Sequence, residues 1–289
     1  MNRTFSFFLA ALTACAAANA QTGYYKLRST LTADSAAAAK RRILASVDVN
    51  TFENSEVRNS NKEVTLRDRL LKPENIEPHR KYPLILVLHS SGTPIGTDNT
   101  SQLGVLARLW AQPDIRKKYP AYVYAPQFPR RSSNYLEDSA RGVLASAPDS
   151  LLADALHLVE AFAHIYPIDR RRIYVVGFSM GGSTAINAIG MRPDLFAAGI
   201  SISGIPDFGH LAALAHTHLL LVHGNADIEN PMGSDSVLYK ELSARHDDQI
   251  TFWEIEGLGH EIYPPLYTTD AIPAWLFSHR KNARRSAPR

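Results

Sequence analysis

The sequence predicts a doubly wound α/β fold, in which helices cover both faces of a mostly parallel sheet. From about residue 63 onward, short apolar runs alternate with helical patterns, which is the order expected of parallel strands joined by crossover helices. Several of these runs are continuous, as Leu84-Ile85-Leu86-Val87-Leu88 is, and continuous runs are typical of strands buried on both faces. With 289 residues, 45% hydrophobic and 20% charged, the chain has an ordinary globular composition and is long enough for one sizeable core.

The individual elements follow from this alternation. The predicted strands are 64–71, 83–89, 121–125, 173–178, 198–203, 219–223 and 250–255. The predicted helices are 101–110, 150–165, 180–191, 234–244 and 270–279. Residues 126–148 break the alternation with Pro129-Arg130-Arg131-Ser132-Ser133-Asn134 and are predicted as a long surface loop, the usual place for specificity.

The first twenty residues have the pattern of a secretory signal peptide. Arg3 supplies one positive charge, an apolar run extends from Phe5 to Ala18, and Ala18 and Ala20 fit a cleavage site after Ala20. We therefore expect a secreted or periplasmic product. Residues 12–15 resemble a bacterial lipobox, so a lipid anchor on Cys15 is an alternative.

The remaining chain divides into three parts. Residues 21–62 are predicted as an N-terminal extension with one helix, which begins at Asp34 or Ser35 and ends near Val47. Residues 63–279 form the main domain, and residues 280–289 form a basic tail that is expected to be solvated. No other stretch approaches the roughly 20 apolar residues that a membrane helix needs.

Charge and cysteine content exclude several classes of function. The formal net charge of +3 falls to +2 when Arg3 is removed with the signal peptide, which is too small to indicate a nucleic-acid partner. Cys15 is the one cysteine, so the mature protein is expected to lack disulfides, iron–sulfur clusters, thiolate zinc sites and a cysteine nucleophile. The histidines at 210, 216, 218 and 223 show no recognisable zinc-ligand spacing, and no metal or organic cofactor is implied.

Gly177-Phe178-Ser179-Met180-Gly181 is the motif that carries the chemistry. This G-x-S-x-G pattern lies where a predicted strand ends and a helix rich in small residues begins. A serine on such a sharp turn has a strained backbone, and the flanking glycines let strand and helix approach closely. Ser179 is therefore the predicted nucleophile. A glycine-rich turn without chemistry is the alternative, because the bare pattern also occurs by chance.

A serine hydroxyl needs a histidine to take its proton and a carboxylate to orient that histidine. In proteins with this motif the order along the chain is nucleophile, acid, histidine, each after a strand. His260 follows the last predicted strand and is the predicted base. Asp227 follows the strand 219–223 and is the predicted acid, with Asp207, and then Glu229, as alternatives.

The oxyanion of a tetrahedral intermediate needs backbone N–H donors. The amide of Met180, directly after the nucleophile, is one predicted donor. The amide of Ser91, in the loop after strand 83–89, is the other.

Taken together, these motifs resemble the α/β-hydrolase superfamily, and within it the secreted esterases and predicted peptidases related to polyhydroxybutyrate depolymerases, feruloyl esterases and the catalytic domain of prolyl oligopeptidases. The resemblance spans about residues 64–276 and implies the α/β-hydrolase fold. Its motifs are Lys81-Tyr82-Pro83-Leu84, Leu88-His89, Gly96-Thr97-Asp98-Asn99, Ala125-Pro126-Gln127, Ile168-Asp169, Gly177-Phe178-Ser179-Met180-Gly181-Gly182, His223-Gly224 and Gly259-His260. The group usually has His-Gly where this chain has His89-Ser90. We expect no prolyl-oligopeptidase propeller, because the sequence ahead of the domain is too short for one.

We therefore expect a serine hydrolase that cleaves a small-molecule or polymeric ester through an acyl-enzyme. A serine peptidase is the first alternative, because it uses the same triad. A catalytically inactive binding protein on the same fold is the second alternative. Arg130 and Arg131 are expected either to attract an acidic substrate or simply to lie solvated in their loop.

Overall fold

A computed structural model describes residues 23–29, 35–58, 64–92, 95–96, 98–245 and 249–281 of the chain. The predicted signal peptide, Cys15 and most of the predicted basic tail lie outside these residues. Its strands are β1 Gly23–Arg28, β2 Glu53–Arg58, β3 Val64–Leu71, β4 Tyr82–Leu88, β5 Tyr122–Gln127, β6 Ser133–Asp138, β7 Val143–Pro148, β8 Ile168–Phe178, β9 Ala198–Ile202, β10 His218–Gly224 and β11 Ile250–Glu256. Its α-helices are α1 Ser35–Ala45, α2 Val105–Arg108, α3 Pro113–Lys118, α4 Leu151–Ile165, α5 Met180–Met191, α6 Leu211–Leu214, α7 Gly233–Ser243, α8 Pro265–Thr268 and α9 Ala271–Phe277.

The central sheet has nine strands in the order β1-β11-β10-β9-β8-β4-β5-β3-β2. The first seven strands of this order, from β1 across the sheet to β5, pair in parallel. At the other edge, β3 pairs antiparallel with β5, and β2 pairs antiparallel with β3. The predicted fold class, a mostly parallel sheet between two layers of helices, is confirmed.

Strand β4 shows why the sheet needs cover on both faces. All seven of its residues are buried. Leu84 and Leu86 belong to the core on one face, which also contains Ile186 of α5, whereas Ile85 and Val87 belong to the core on the other face. Alternate side chains of a strand point to opposite faces, so a continuous apolar run fills both cores.

The predicted bounds of β3 and α5 agree with the structure residue for residue. The predicted helix 101–110 is shorter, because α2 begins only at Val105, after Gly104 in an extended conformation, and passes into a 3-10 turn at Leu109–Ala111. Strand β8 begins five residues earlier than predicted, at Ile168, which pairs with Tyr82 of β4; the charged residues between Asp169 and Arg172 hide this part of the strand from a prediction based on apolar runs.

The prediction of a long surface loop over residues 126–148 is wrong. Strands β6 and β7 form a two-stranded antiparallel hairpin there. Buried polar contacts attach it to α5: the Ser132 hydroxyl lies 2.8 Å from that of Thr184, and the Asn187 amide donates to Ser133 Oγ at 2.6 Å. Because polar groups rather than an apolar stripe anchor the hairpin, its sequence lacks the periodicity that predicts strands.

The described part of the N-terminal extension completes both edges of the main sheet. Strand β1 pairs in parallel with β11, and β2 pairs with β3. Helix α1 lies between them in sequence and buries Leu44 in the second core. Among the helices of the described residues, none combines the length and apolar character that a membrane crossing requires.

Asp68 is a buried carboxyl in the sheet, and among the described residues no cationic side chain forms a hydrogen bond with it. Asp68 of β3 is 2% exposed and accepts hydrogen bonds from the hydroxyls of Tyr124 at 3.0 Å and Ser55 at 3.3 Å. Burial raises the pKa of Asp68 to about 6, and the two hydroxyl donors only partly oppose this shift. The folded state therefore binds the proton of the Asp68 carboxyl more tightly than the unfolded state does. The protein loses stability as the pH rises from the ordinary aspartate pKa of 3.8 to about 6.

Replacing Asp68 with Asn is expected to stabilise the protein at alkaline pH. Because the amide carries no charge, the free energy of unfolding of D68N relative to wild type should increase by about 2–3 kcal/mol between pH 4 and pH 8. Urea unfolding at both pH values measures this difference. A relative stability that does not change with pH would show that Asp68 is not protonated near pH 6 in the folded protein.

Candidate active site

Ser179 lies at the tip of a sharp turn between β8 and α5. Its backbone has a positive φ, with φ 57° and ψ −123°, a conformation that a non-glycine residue adopts only under strain. The turn is held by the Ser179 N–H, which donates to Ile202 O at 2.8 Å, and by the Ser183 N–H, which donates to Ser179 O at 3.0 Å. The strain therefore persists because both sides of the turn are fixed by hydrogen bonds.

The two glycines of the motif are required by close backbone contacts. A Cβ atom at Gly177 would lie 2.1 Å from Gly181 O, and one at Gly181 would lie 2.2 Å from Leu88 O. Such distances are too short for any side chain. The turn at Ser179 can thus bring α5 close to the end of β4 only with glycine at positions 177 and 181. This is the close approach of strand and helix that the sequence motif predicts.

The structure brings Ser179, His260 and Asp227 into a single hydrogen-bonded sequence. His260 Nε2 lies 2.8 Å from Ser179 Oγ, and His260 Nδ1 lies 2.7 Å from Asp227 Oδ2. Since a carboxylate accepts, Nδ1 carries the proton and Nε2 is free to accept the proton of the Ser179 hydroxyl. This is the arrangement in which a serine hydroxyl can become a nucleophile.

Asp227 is held as a buried anion. Its side chain is fully buried, and Oδ1 accepts from the backbone N–H groups of Glu229 and Asn230, both at 2.9 Å. Burial raises the pKa of this carboxyl, but hydrogen bonds from His223, His260 and the Asn230 N–H outweigh it and hold the pKa at about 2. Asp227 therefore stays ionised at any pH at which His260 can act as a base.

The two alternative acids lie elsewhere. Asp207 Oδ2 is 2.5 Å from Nδ1 of His210, and its Oδ1 accepts from the Gly209 N–H at 2.6 Å, so this carboxylate is engaged in its own local pair. Glu229 is 72% exposed, and its Oε2 lies 3.8 Å from Nε2 of His260, on the serine side of the ring. Of the three candidate acids, Asp227 is the one bonded to Nδ1 of His260.

The loop that carries His260 packs closely over the end of β10. A Cβ at Gly224 would lie 2.1 Å from Leu258 O, so this position also needs glycine. The His260 ring lies against Phe178, with ring centroids 5.0 Å apart. Arg41 of α1 donates to the Tyr267 hydroxyl at 2.8 Å and contacts Glu261 at 3.3 Å. The N-terminal extension therefore braces the residues that follow His260.

Met180 and Ser91 remain predictions as oxyanion donors. Met180 is the first residue of α5, and the first amides of a helix have no acceptor within the helix. Ser91 lies three residues beyond the end of β4, half-buried. The loop before it is fixed by His89, whose Nδ1 donates to Ser90 O at 2.7 Å while its Nε2 accepts from the Phe128 N–H at 3.0 Å. His89 is a site residue that sequence reasoning missed in this role.

A cavity of about 570 Å³ opens beside the elbow at the carboxyl edge of the sheet. Its wall includes Phe178 and Ile262, which border the Ser179 and His260 turns, and Val87 and Leu106 are among its apolar residues. Among the described residues, its lining contains no Asp, Glu, Lys or Arg side chain. Burial lowers the pKa of His89, and the hydrogen bond to the Ser90 carbonyl opposes this shift only in part. The His89 ring therefore adds no charge to the lining at neutral pH.

Comparison with known proteins agrees with the fold. Residues 122–214 match the model of the prolyl oligopeptidase family. A solved thermostable esterase is 29% identical with a TM-score of 0.71, and the match covers 81% of this chain and 64% of the esterase. Dipeptidyl peptidase 4 of Porphyromonas gingivalis is 19% identical with a TM-score of 0.53, covering 79% of this chain and 35% of the peptidase. No curated protein matches the chain.

The sheet topology and these similarities together show that the chain has the α/β-hydrolase fold. Within this fold, the segment from β5 to α6 is the part that matches the prolyl oligopeptidase family model. The chain spans less than two thirds of the length of the esterase that it resembles.

The geometry predicts different effects for two Asp to Asn substitutions. D227N is expected to lower turnover of a short p-nitrophenyl acyl ester by about 10⁴-fold, because the amide cannot hold the His260 tautomer or balance its charge. D207N, which changes an aspartate paired with a different histidine, is expected to leave turnover within about threefold of wild type. Circular dichroism checks that both variants fold. Near-normal turnover of D227N, or a large loss in D207N, would assign the acid elsewhere.

Proposed function

We propose that the chain is a serine hydrolase that cleaves carboxylic esters, with Ser179 as nucleophile, His260 as base and Asp227 as the acid that orients it. The hydrogen-bonded sequence from Ser179 Oγ through His260 to Asp227 is the observation that carries the proposal. All three groups are already within hydrogen-bond distance, so no rearrangement is needed before the first proton transfer.

The reaction follows from this geometry. Ser179 Oγ attacks the ester carbonyl carbon while its proton moves to His260 Nε2, and the oxyanion forms near the amides of Met180 and Ser91. The carbon–oxygen bond to the alcohol then breaks, and the alcohol takes the proton from Nε2. A water molecule repeats these steps on the acyl-enzyme and releases the acid. Asp227 stays ionised and stabilises the imidazolium formed in each half.

Two observations support an ester rather than a peptide. The 29% identical structure that covers most of this chain is an esterase. The cavity beside the elbow has the size of a small-molecule site and an uncharged lining, which suits an uncharged acyl or alcohol group. A peptidase is the second candidate, because the family model that matches residues 122–214 is that of prolyl oligopeptidases.

The contacts of two arginines argue against their recognising an acidic substrate. Arg130 donates to both carboxylate oxygens of Asp149, at 3.1 and 2.9 Å. Arg131 donates to Ser133 O at 3.2 Å, and its guanidinium lies 4.7 Å from the ring centroid of Tyr135. Both side chains therefore have partners within the protein.

The proposal includes export of the enzyme from the cytoplasm. The pattern of residues 1–20 supports cleavage after Ala20 and a secreted or periplasmic enzyme, with lipidation of Cys15 as the alternative route. The intact mass of the mature protein separates the two: a chain beginning at Gln21 is expected, and a lipid-modified chain beginning at Cys15 would show a tethered enzyme.

A paired substrate series tests ester against peptide cleavage. We expect p-nitrophenyl esters of short acyl groups to be hydrolysed with kcat/KM at least about 100-fold above the p-nitroanilides of dipeptides and tripeptides, since the amine is the poorer leaving group. S179A controls for background hydrolysis. Activity confined to the amides would favour the peptidase, and a folded protein that no fluorophosphonate labels would be a binding protein.

A further inference from the structure

A second histidine and a second carboxylate lie close to Asp227. His223 is the penultimate residue of β10, and Asp235 is in the first turn of α7. His223 Nδ1 lies 2.8 Å from Asp235 Oδ2, and His223 Nε2 lies 2.7 Å from Asn230 O and 3.3 Å from Asp227 Oδ2. The side chains of His223, Asp227 and Asp235 are fully buried.

These contacts fix where the protons of His223 are. The Asn230 carbonyl can only accept, so Nε2 carries a proton that points at Asn230 O and at Asp227. Burial lowers the pKa of His223, but hydrogen bonds to Asp227 and Asp235 outweigh it and raise the pKa to about 9. Burial raises the pKa of the Asp235 carboxyl too, and the 2.8 Å contact between Nδ1 and Asp235 Oδ2 holds one further proton between the two side chains.

The turn that carries Asp227 is thus held from several directions. Asn230 donates its backbone N–H to Asp227 Oδ1 at 2.9 Å, accepts from His223 through its carbonyl, and donates its side-chain amide to Ser203 O at 2.7 Å. Asp227 Oδ2 faces both histidines, His260 at 2.7 Å and His223 at 3.3 Å. A shift of His223 would therefore move both the carboxylate and the turn.

We propose that His223 and Asp235 are positioning residues that act through Asp227: Asp235 fixes the ring of His223, and His223 fixes the carboxylate that orients His260. Neither residue needs to touch the substrate. The inference rests on the proposed triad, but it does not depend on whether the substrate is an ester or a peptide.

The His223–Asp235 pair is not the arrangement expected if its role were only to stabilise the fold. In the part of the chain that the structure describes, Asp235 Oδ1 is buried without a hydrogen-bond partner, and an unpaired buried acceptor destabilises a fold. Replacing a buried ion pair by apolar groups of similar shape is often neutral or stabilising. A catalytic role and a purely structural role can therefore be separated, because an apolar replacement should keep the fold and lose the positioning.

The experiment compares three variants. H223L/D235L replaces the whole pair with apolar side chains. D235N keeps a side chain that can donate to Nδ1 of a neutral His223, whose Nε2 proton still points at Asn230 O and Asp227. D207N changes the aspartate of the separate pair with His210 and serves as the control. Each is measured by melting temperature, by the rate of fluorophosphonate labelling of Ser179, and by kcat and KM on the best available substrate.

We expect H223L/D235L to melt at or above the temperature of the wild type while its labelling rate and kcat fall about 10–100-fold, the range in which outer-shell partners act at metal sites. Its KM should stay within about twofold, because the binding cavity is unchanged. D235N should retain at least about a third of the labelling rate, and D207N all of it.

Three results would overturn the inference: a folded H223L/D235L variant that is labelled as fast as wild type, a loss in D235N as large as in the double variant, or an equal loss in D207N. If the double variant does not fold, the comparison of D235N with H223L alone decides, and equal labelling rates overturn the inference. Because labelling needs no substrate, a failure of the ester proposal would leave this test intact.

Discussion

The close contact of three backbones at Ser179 is the constraint on which the rest of the site depends. Strand β8 turns into α5 so sharply that a Cβ at Gly177 would lie 2.1 Å from Gly181 O, while a Cβ at Gly181 would lie 2.2 Å from the last carbonyl of β4. Ser179 adopts a backbone with a positive φ to make this turn. The parallel sheet fixes the strand ends that hold it, so the hydroxyl is presented at the carboxyl edge rather than within the core.

The same edge supplies the other groups. On one side of β8 the sheet continues with β9, then β10, then β11. Ile202, which accepts from Ser179 N–H, lies at the carboxyl end of β9, and Asp227 and His260 follow the carboxyl ends of β10 and β11. Residues distant in the chain thus meet because parallel strands end on one side. The buried charge of Asp227 is tolerated there because two backbone amides and two histidines donate to it.

Much of this arrangement could be predicted from the sequence. Strands such as β4 are continuous apolar runs, and the elbow motif places its serine on a turn by steric necessity, so both follow from local patterns. The edge strands β1 and β2 were not predicted, because their residues are only half-buried or exposed and neither strand contains an apolar run. The hairpin of β6 and β7 is held by buried hydroxyls and amides, which hydrophobic periodicity does not detect.

The pair of His223 and Asp235 shows a second limit of prediction from the sequence. His223 and Asp235 are twelve positions apart, on a strand and on a helix, and no motif joins them; only the fold brings Nδ1 within 2.8 Å of Oδ2. His89 is similar, since its contact with the loop that leads to Ser91 depends on the amide of Phe128. The residues proposed for catalysis follow a known sequence pattern, whereas the residues that hold them in place depend on the packing of this fold.

A crystal structure of the protein after reaction with an alkyl fluorophosphonate tests the central claim most directly. The account predicts phosphorus bonded to Ser179 Oγ, His260 Nε2 within hydrogen-bond distance of that oxygen, and the phosphonyl oxygen facing the Met180 amide. A phosphonyl group on another residue, or His260 turned away from Ser179 with Asp227 paired to a different side chain, would contradict it.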